Sequence, residues 1–382
     1  MHDVIIVGAG PAGSSAARRC AQLGASTLLI DSATFPRDKL CGGGLSEQAM
    51  SYLDFDLPPA IVERDIFGAR VHYGDRSVEV RKPYRVAVTV SRYNLDFFLA
   101  QKARELGVNL LEGKRVSSLV YGHDSVEVMT GKEKHVGRMV IGCDGFNSVA
   151  ARYVRRKHRK NEYGICLESK IPSDPATIDS YLHDAIDIHF SIVYGGYGWV
   201  FPYKEQFYVG IGGLASRLKD PKRVMRDFLA ATGFSSDIDM KGHPIPSGGV
   251  RRKTVADRLI LAGDAAGFVD TFYGEGLAFA IRSGQIAGEV AVSALRKGDC
   301  SPAGLRSYSQ RCRQEFGIDL QYSLLFSNLM HRFPKILLRL LASDGDVLDK
   351  YLEVPARRRS YKSFLAWLLP RLPLLYAKVI SR

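Results

Sequence analysis

Gly8, Gly10 and Gly13 stand in a G-x-G-x-x-G spacing directly after the apolar run Val4-Ile5-Ile6-Val7. The run reads as a buried parallel strand, and Pro11 to Leu23 has helical spacing with small residues at Ala12, Ala16, Ala17 and Ala21. In a strand–turn–helix context the first glycine permits the tight turn and the second lets a diphosphate approach the backbone. The third lets helix and strand pack closely. The helix N-terminus adds free N–H groups and the positive end of its dipole. Asp31 lies eighteen residues beyond Gly13, at the end of the predicted strand Ser26–Asp31. A carboxylate there accepts both hydroxyls of a ribose and repels a 2′-phosphate. The ligand this pattern takes is a dinucleotide.

Further residues have types suited to chemistry. Asp144-Gly145 ends one predicted strand and Gly263-Asp264-Ala265-Ala266-Gly267 ends another; each acid alone reads equally well as a helix N-cap. Cys41 precedes Gly42-Gly43-Gly44, and Gly274-Glu275-Gly276 is a second glycine-rich stretch. Backbone without side chains can lie flat against a planar ring. Cys41 is either a proton donor or a small apolar neighbour of such a ring, and Glu275 either shuttles protons or caps its helix. Tyr197, Trp199 and Phe201, followed by Pro202, alternate along a predicted strand and line either a core or a cavity.

The elements that must position these groups follow from the rest of the chain. Its 382 residues, 46% hydrophobic and 24% charged, suit two or three folded domains and exclude wholesale disorder. No apolar run reaches the ~18 residues of a spanning helix, and the first residues do not read as a signal peptide, so a cytoplasmic setting is expected. Six scattered cysteines without a C-x-x-C pair argue against structural zinc and against a disulfide scaffold. His189 and His243 carry no signal, and no metal site is expected. Residues 54–91 look β-rich, Tyr93–Leu106 helical, and Ser118–Thr130, Gly137–Cys143 and Leu259–Ala262 read as strands. From Tyr163 to Gly249 the pattern is mostly strand with one helix near Pro221–Thr232, and a helix runs from about Gly276 to Arg296. This predicts an α/β chain: a discontinuous Rossmann-type domain (1–53, 83–160 and 251–300), a β-rich substrate domain (54–82 and 161–250) and a basic helical region (301–382).

The net charge is +13, and the residues from Ser301 onward hold 14 Lys/Arg against 6 Asp/Glu. Arg152 and the run Arg155–Lys160 form a second basic cluster. Such a balance suits nucleic acid, an anionic membrane face or an acidic ligand. No nucleic-acid module accompanies it, so no nucleic-acid partner is expected. In the tail, Gln321–Ala342 and Ser363–Ile380 mix leucines and aromatics with Arg and Lys, after Arg357-Arg358-Arg359. These are either helices packed on the domains or a surface for anionic lipid, which would place the chain peripherally on the inner membrane face.

Gly8–Gly13, Cys143-Asp144-Gly145-Phe-Asn-Ser148 and Gly263-Asp264-Ala265-Ala266, in that order, resemble the para-hydroxybenzoate hydroxylase class of FAD proteins. Three more segments are similar to the geranylgeranyl reductase family within it: Lys39-Leu-Cys41-Gly42-Gly43-Gly44-Leu45, Tyr197-Gly-Trp199-Val-Phe201-Pro202, and Asp264 through Gly274-Glu275-Gly276-Leu277. The resemblance covers about residues 1–300. It implies FAD contacts at Ala12, Asp31, Cys41, Gly42, Gly44, Arg92, Val116, Asp264, Gly276 and Leu277, beside Gly8, Gly10, Gly13, Asp144, Gly145 and Gly274. It implies that Tyr197, Trp199, Phe201 and Pro202 line a lipid cavity. It implies a flavin-dependent reductase of polyprenyl double bonds, with a monooxygenase or a membrane electron-transfer flavoprotein as alternatives. The chain departs from the family at Thr271-Phe272-Tyr273, where Pro-Leu-Thr is frequent. Since Gly210-Ile-Gly212-Gly lacks a third glycine and a following acid, no second dinucleotide domain is expected. The electron donor is then NADPH or NADH visiting transiently, or a protein such as reduced ferredoxin.

Overall fold

Val4, Ile5, Ile6 and Val7 form an almost uninterrupted apolar stretch, and a strand of that kind is stable only with both faces covered. In the computed structural model, which describes residues 1–247 and 252–380, the strand His2–Val7 is the centre of a parallel sheet. Thr27–Ile30 and then Asn109–Leu111 lie on one side of it, and Glu133–Gly142 and then Leu259–Leu261 on the other. The strand order therefore reverses between His2–Val7 and Glu133–Gly142. In open α/β sheets the crevice at such a reversal, beyond the carboxyl ends of the strands, is where ligands bind. The helix Pro11–Gln22 covers one face and is itself covered by the long helix Leu277–Lys297. A hairpin, Ser118–Tyr121 with Val126–Thr130, extends the edge; the sequence pattern had read it as one strand, and the turn at Gly122–Ser125 divides it.

A second, seven-stranded sheet runs in the order Lys241–Pro246, Tyr163–Pro172, Gln206–Leu214, Gly196–Pro202, Ala185–Phe190, Gly68–Tyr73, Arg76–Arg81. Its pairings are antiparallel except that of Ala185–Phe190 with Gly68–Tyr73. Gly44–Ser46, Ala87–Val90 and Val62–Ile66 form a small third sheet. The stretch after Tyr163 holds a helix, Pro175–Tyr181, that strand alternation had hidden. Asp174 caps it by accepting from the Thr177 N–H at 2.9 Å, and Pro175 fills its first turn. The boundary expected at residues 250–251 lies outside the described residues.

After Ser301 the chain is helical, as the composition predicts. Ile318–Arg332, Pro334–Leu341, Gly345–Leu352 and Tyr361–Leu368 bury their leucines and aromatics against Ala69, Val71 and Phe190 of the second sheet. Phe272 is the centre of this junction. Its ring lies 5.7 Å from Phe190, 4.5 Å from Phe326 and 5.4 Å from Tyr351. The residue that departs from the family pattern is thus the one on which the tail docks. Arg357 and Arg358 lie over the rings of Tyr52 and Tyr84, and Arg359 pairs with Glu353 at 2.7 Å. Arg357 and Arg358 hold the tail to the body, and Arg359 braces it internally. Among the described residues no helix is long and apolar enough to cross a membrane.

Phe272→Ala would leave a cavity that three aromatic neighbours cannot collapse into. The expected cost is about 3–5 kcal/mol of stability, read as a lower denaturation midpoint, with earlier proteolytic release of the tail. A loss below ~1 kcal/mol would show that the tail docks by other contacts.

Candidate functional site

A cavity of about 660 Å³ opens at the strand-order reversal, between the parallel sheet and the second sheet. Gly8, Gly10, Ala12, Asp31, Val116, Asp144 and Gly145 line one end of it. Cys41, Gly42, Gly44, Arg92, Asp264, Gly274, Gly276 and Leu277 line the middle, with Tyr197, Trp199 and Phe201 on the sheet side. Two expected residues are not in the wall. Gly13 lies beneath the loop, where a Cβ would stand 1.7 Å from the Gly8 carbonyl oxygen, so its role is close helix–strand packing. Pro202 is on the other face, because period-2 alternation carries 197, 199 and 201 inward and 202 outward; its carbonyl accepts from the buried Thr89 hydroxyl at 2.9 Å.

At the glycine end, the Asp31 carboxylate accepts from the Ala9 N–H at 2.7 Å and the Ala33 N–H at 2.8 Å. It holds the phosphate loop in shape as well as facing the cavity. Gly8 has φ +95°, and a Cβ there would meet the Cys143 carbonyl oxygen at 2.4 Å. The loop after the first strand and the loop after Glu133–Gly142 can close on one ligand only with glycine there. Arg37, which no motif singled out, stands beside Gly10: its Nη2 pairs with Asp96 at 3.1 Å while its buried Nη1 has no partner among the described residues. Arg92 holds the same Asp96 through bonds of 2.6 and 2.8 Å. Burial, followed by the neighbouring Arg92, lowers Lys39 to about 8 against the pull of Asp264. An orphaned guanidinium N–H, two arginines that share one carboxylate, and the free end of a helix together fit a diphosphate.

Further in, the glycine-rich backbone of 42–44 faces the sheet. Tyr203 fixes it by donating to the Gly42 carbonyl at 3.0 Å and the Val90 carbonyl at 3.1 Å. Trp199 lies across the neighbouring strand because its cross-strand partner is Gly210 and its diagonal neighbour is Gly212; a Cβ on Gly210 would stand 2.3 Å from the indole. The buried indole N–H has no partner among the described residues. The glycines at 210 and 212, which failed as a phosphate motif, are there for this ring. Tyr197 donates to the Tyr273 carbonyl and anchors the 271–273 segment. The flat, glycine-lined slot fits the isoalloxazine ring of FAD, whose redox chemistry would then take place beside Cys41 and Trp199.

The acids of the wall divide by what they touch. Asp144 caps the short helix Ala150–Tyr153, accepting from Ser148 at 2.5 Å, the Val149 N–H at 2.6 Å and the Ala150 N–H at 3.2 Å. Its carboxylate serves that turn, the capping alternative. Glu275 accepts from Ser46 at 2.5 Å and Tyr273 at 2.7 Å, and burial raises its pKa. Burial also raises Asp264, opposed by Lys39 and Arg92; its side chain makes no hydrogen bond among the described residues. Glu168 and Cys166 also face the cavity, from mid-strand positions that no sequence motif marks.

One group of possible metal ligands gathers outside the cavity. His72 and His189 are paired across parallel strands and each meets Asp187, at 2.8 and 3.0 Å. Their rings are stacked 4.1 Å apart and nearly parallel, and each hydrogen-bonds one of the two carboxylate oxygens. The arrangement is that of a carboxylate bridging two imidazoles.

Arg37→Ala removes a charge-assisted donor and is expected to weaken FAD binding by about 1.5–3 kcal/mol, and Asp31→Ala by about 1–3 kcal/mol. Titration of apoprotein with FAD measures both. Wild-type affinity in Arg37→Ala would remove Arg37 from the diphosphate site.

The family model described as FAD binding domain matches residues 1–316. The chain is 32% identical over 355 residues to digeranylgeranylglycerophospholipid reductase 2 of Methanococcoides burtonii, covering 87% of this chain and 85% of the relative. It is 30% identical over 315 residues to menaquinone reductase of Mycobacterium tuberculosis, covering 75% and 76%. A geranylgeranyl bacteriochlorophyll reductase-like protein from Thermoplasma acidophilum has the same fold, with a TM-score of 0.81 at 23% identity over 99% of both chains. The glycine loop, the cation-lined diphosphate end and the aromatic slot thus belong to a chain that is a member of the geranylgeranyl reductase family of FAD-dependent oxidoreductases.

Proposed function

We propose that this protein reduces carbon–carbon double bonds in a polyprenyl chain carried by a lipid, quinone or pigment precursor. The observation that carries the reading is the continuity of the cavity. Beyond Trp199 it runs on between Ile186, Ile188 and Phe190 of the sheet and Leu341, Leu348 and Leu352 of the tail helices. The acids near that end, Asp270 and Glu275, are held in internal hydrogen bonds, so the chamber offers a hydrocarbon chain apolar contact and little competition from water. Reduced FAD, when bound, supplies the hydride. Arg37, Lys39 and the glycine loop hold its diphosphate end, Trp199 and the 42–44 backbone border its ring, and the tail helices exclude water from the reacting carbons. The names of the relatives point to two molecules, a geranylgeranyl glycerophospholipid and menaquinone, that share a prenyl chain and differ in head group. The electron donor in this reading is NADPH, NADH or reduced ferredoxin, visiting transiently.

The test is an anaerobic incubation of the dithionite-reduced holoprotein with a digeranylgeranyl glycerophospholipid or menaquinone, followed by mass spectrometry. Products heavier by two hydrogens per reduced bond are expected without oxygen. Turnover only with oxygen consumption would give the reading up in favour of a monooxygenase.

A substrate of this kind is reached at a bilayer, and we place the contact on the tail. Leu325, Phe333, Leu369 and Leu374 are exposed there, beside the exposed cations Arg332, Lys335 and Arg371. Each cation near an anionic surface contributes about 1 kcal/mol, screened by salt. Cosedimentation with anionic vesicles and little with neutral ones is expected. Phe333→Asp with Lys335→Glu should weaken it and leave FAD bound. Equal binding to both vesicle types, or none, contradicts the placement.

A further inference from the structure

Glu168 sits in mid-strand in Tyr163–Pro172, on the face that also turns Gly164 and Cys166 to the cavity. It is 2% exposed, and its Oε1 is buried without a hydrogen-bond partner among the described residues. A carboxylate with an orphaned oxygen in such a place is costly, whereas the neutral acid is far cheaper to bury and keeps an O–H free to donate within the cavity wall. Other acids of the inner wall are tied up: Asp144 accepts at the start of a helix, Glu275 is held by Ser46 and Tyr273, and Asp270 accepts from the Phe272 and Tyr273 N–H groups and from Tyr361. Asp264, beside the same Lys39 and Arg92 that lie near Glu168, is half-buried and not sealed in as Glu168 is. The Cys41 sulfur accepts from the Gly43 N–H at 3.4 Å and has the Arg92 guanidinium beside it, so protons point at the sulfur from both.

We propose that Glu168 is the acid that protonates the substrate, delivering its proton to the alkene carbon that does not receive the hydride. This rests on the reductase reading above. Hydride addition forms one C–H bond, and the π pair of the double bond forms the second with the Glu168 proton. The Glu168 O–H bond breaks and leaves the carboxylate, which takes a proton from water before the next double bond is reduced. Burial raises the Glu168 carboxyl to about 7, against the pull of Lys170, the Cys41 N–H, Lys39 and Arg92. The remaining groups that face it are Cys166, Tyr203 and Tyr208, with exposed Lys241 across the strand. Burial keeps His243 on the neighbouring strand neutral, with its pKa lowered to about 4. An acid of this strength is present at neutral pH and is regenerated there. Since the protonated form is the active one, the rate is expected to be flat below the Glu168 pKa and to fall as pH rises through it.

The experiment compares wild type, Glu168→Gln and Glu168→Asp as holoproteins. Two readouts are used: anaerobic reoxidation of the reduced flavin by digeranylgeranyl glycerophospholipid across pH, and the infrared carbonyl band of a protonated carboxylic acid. In Glu168→Gln, FAD and lipid should bind as in wild type, while reoxidation slows by about 100-fold or more and loses its pH dependence. Glu168→Asp should restore part of the rate. Buried Asp270 is also raised to about 7, so the readout is the difference spectrum of wild type minus Glu168→Gln. That difference should hold a carbonyl band at pH 6 that vanishes by about pH 8. Wild-type rate in Glu168→Gln, or no titrating band in the difference, overturns the proposal. Should wild type fail to reduce the lipid at all, the reductase reading fails while the difference band still shows whether Glu168 holds a proton at the wall. Should Glu168→Gln not fold, the difference against Glu168→Asp and the pH profile of that variant decide.

Discussion

The site depends on one close approach of backbone to backbone. Gly8, at φ +95°, leaves no room for a side chain against the Cys143 carbonyl, and Gly13 leaves none against Gly8 itself. These contacts bring the ends of two neighbouring parallel strands, and the start of the first helix, to the point where strand order reverses. Any side chain at either position pushes the loops apart by a substantial fraction of an atomic diameter. The diphosphate end of the cavity exists because the backbone is bare there, and Asp31 fixes the arrangement by accepting from Ala9 and Ala33. Everything further in is placed relative to that corner.

The cavity then changes character along its length for reasons of alternation. The second sheet turns Tyr197, Trp199, Phe201, Ile186 and Ile188 inward, and the polar residues between them, such as Asp187 and His189, outward. The cations Arg37, Lys39 and Arg92 cluster at the other end, with Asp96 shared between the two arginines. A low-dielectric chamber joined to a cation-rich slot holds a molecule that is charged at one end and planar further in, with space beside it for an apolar chain. The aliphatic and aromatic wall beyond Trp199 leaves that part of the cavity poor in charge, where a dipole acts with little screening.

The first βαβ unit, the strand ends before Asp144 and Asp264 and the long helix after Gly276 were legible because each is a local pattern with a local cause. What sequence reading missed was set by contacts between distant segments. Arg37 matters because the chain folds back to Gly10, and Glu168 because a strand more than a hundred residues from Cys41 lies against it. Neither has a spacing that could announce it. Pro202 was carried along with its motif, although alternation alone turns it outward. The Pro175 helix had a readable start in Asp174-Pro175, overridden by the strand pattern around it. Gly210 and Gly212 were rightly rejected as a phosphate loop; what they do depends on Trp199 across the strand.

The tail shows how packing answers what the sequence left open. Its leucines were consistent with a protein core or with a lipid surface, and most of them belong to a core. Phe326, Leu341, Leu348 and Tyr351 are buried against Phe272 and the second sheet, and several of the same helices close the cavity. Phe272 replaces a smaller residue of the family pattern, and its ring fills the space between sheet and tail. Tyr273 beside it ties the segment to Glu275 and, through its carbonyl, to Tyr197. The departure therefore joins the wall of the cavity to its roof. The aromatic segment at 271–273 and the helices resting on it together close that end of the cavity.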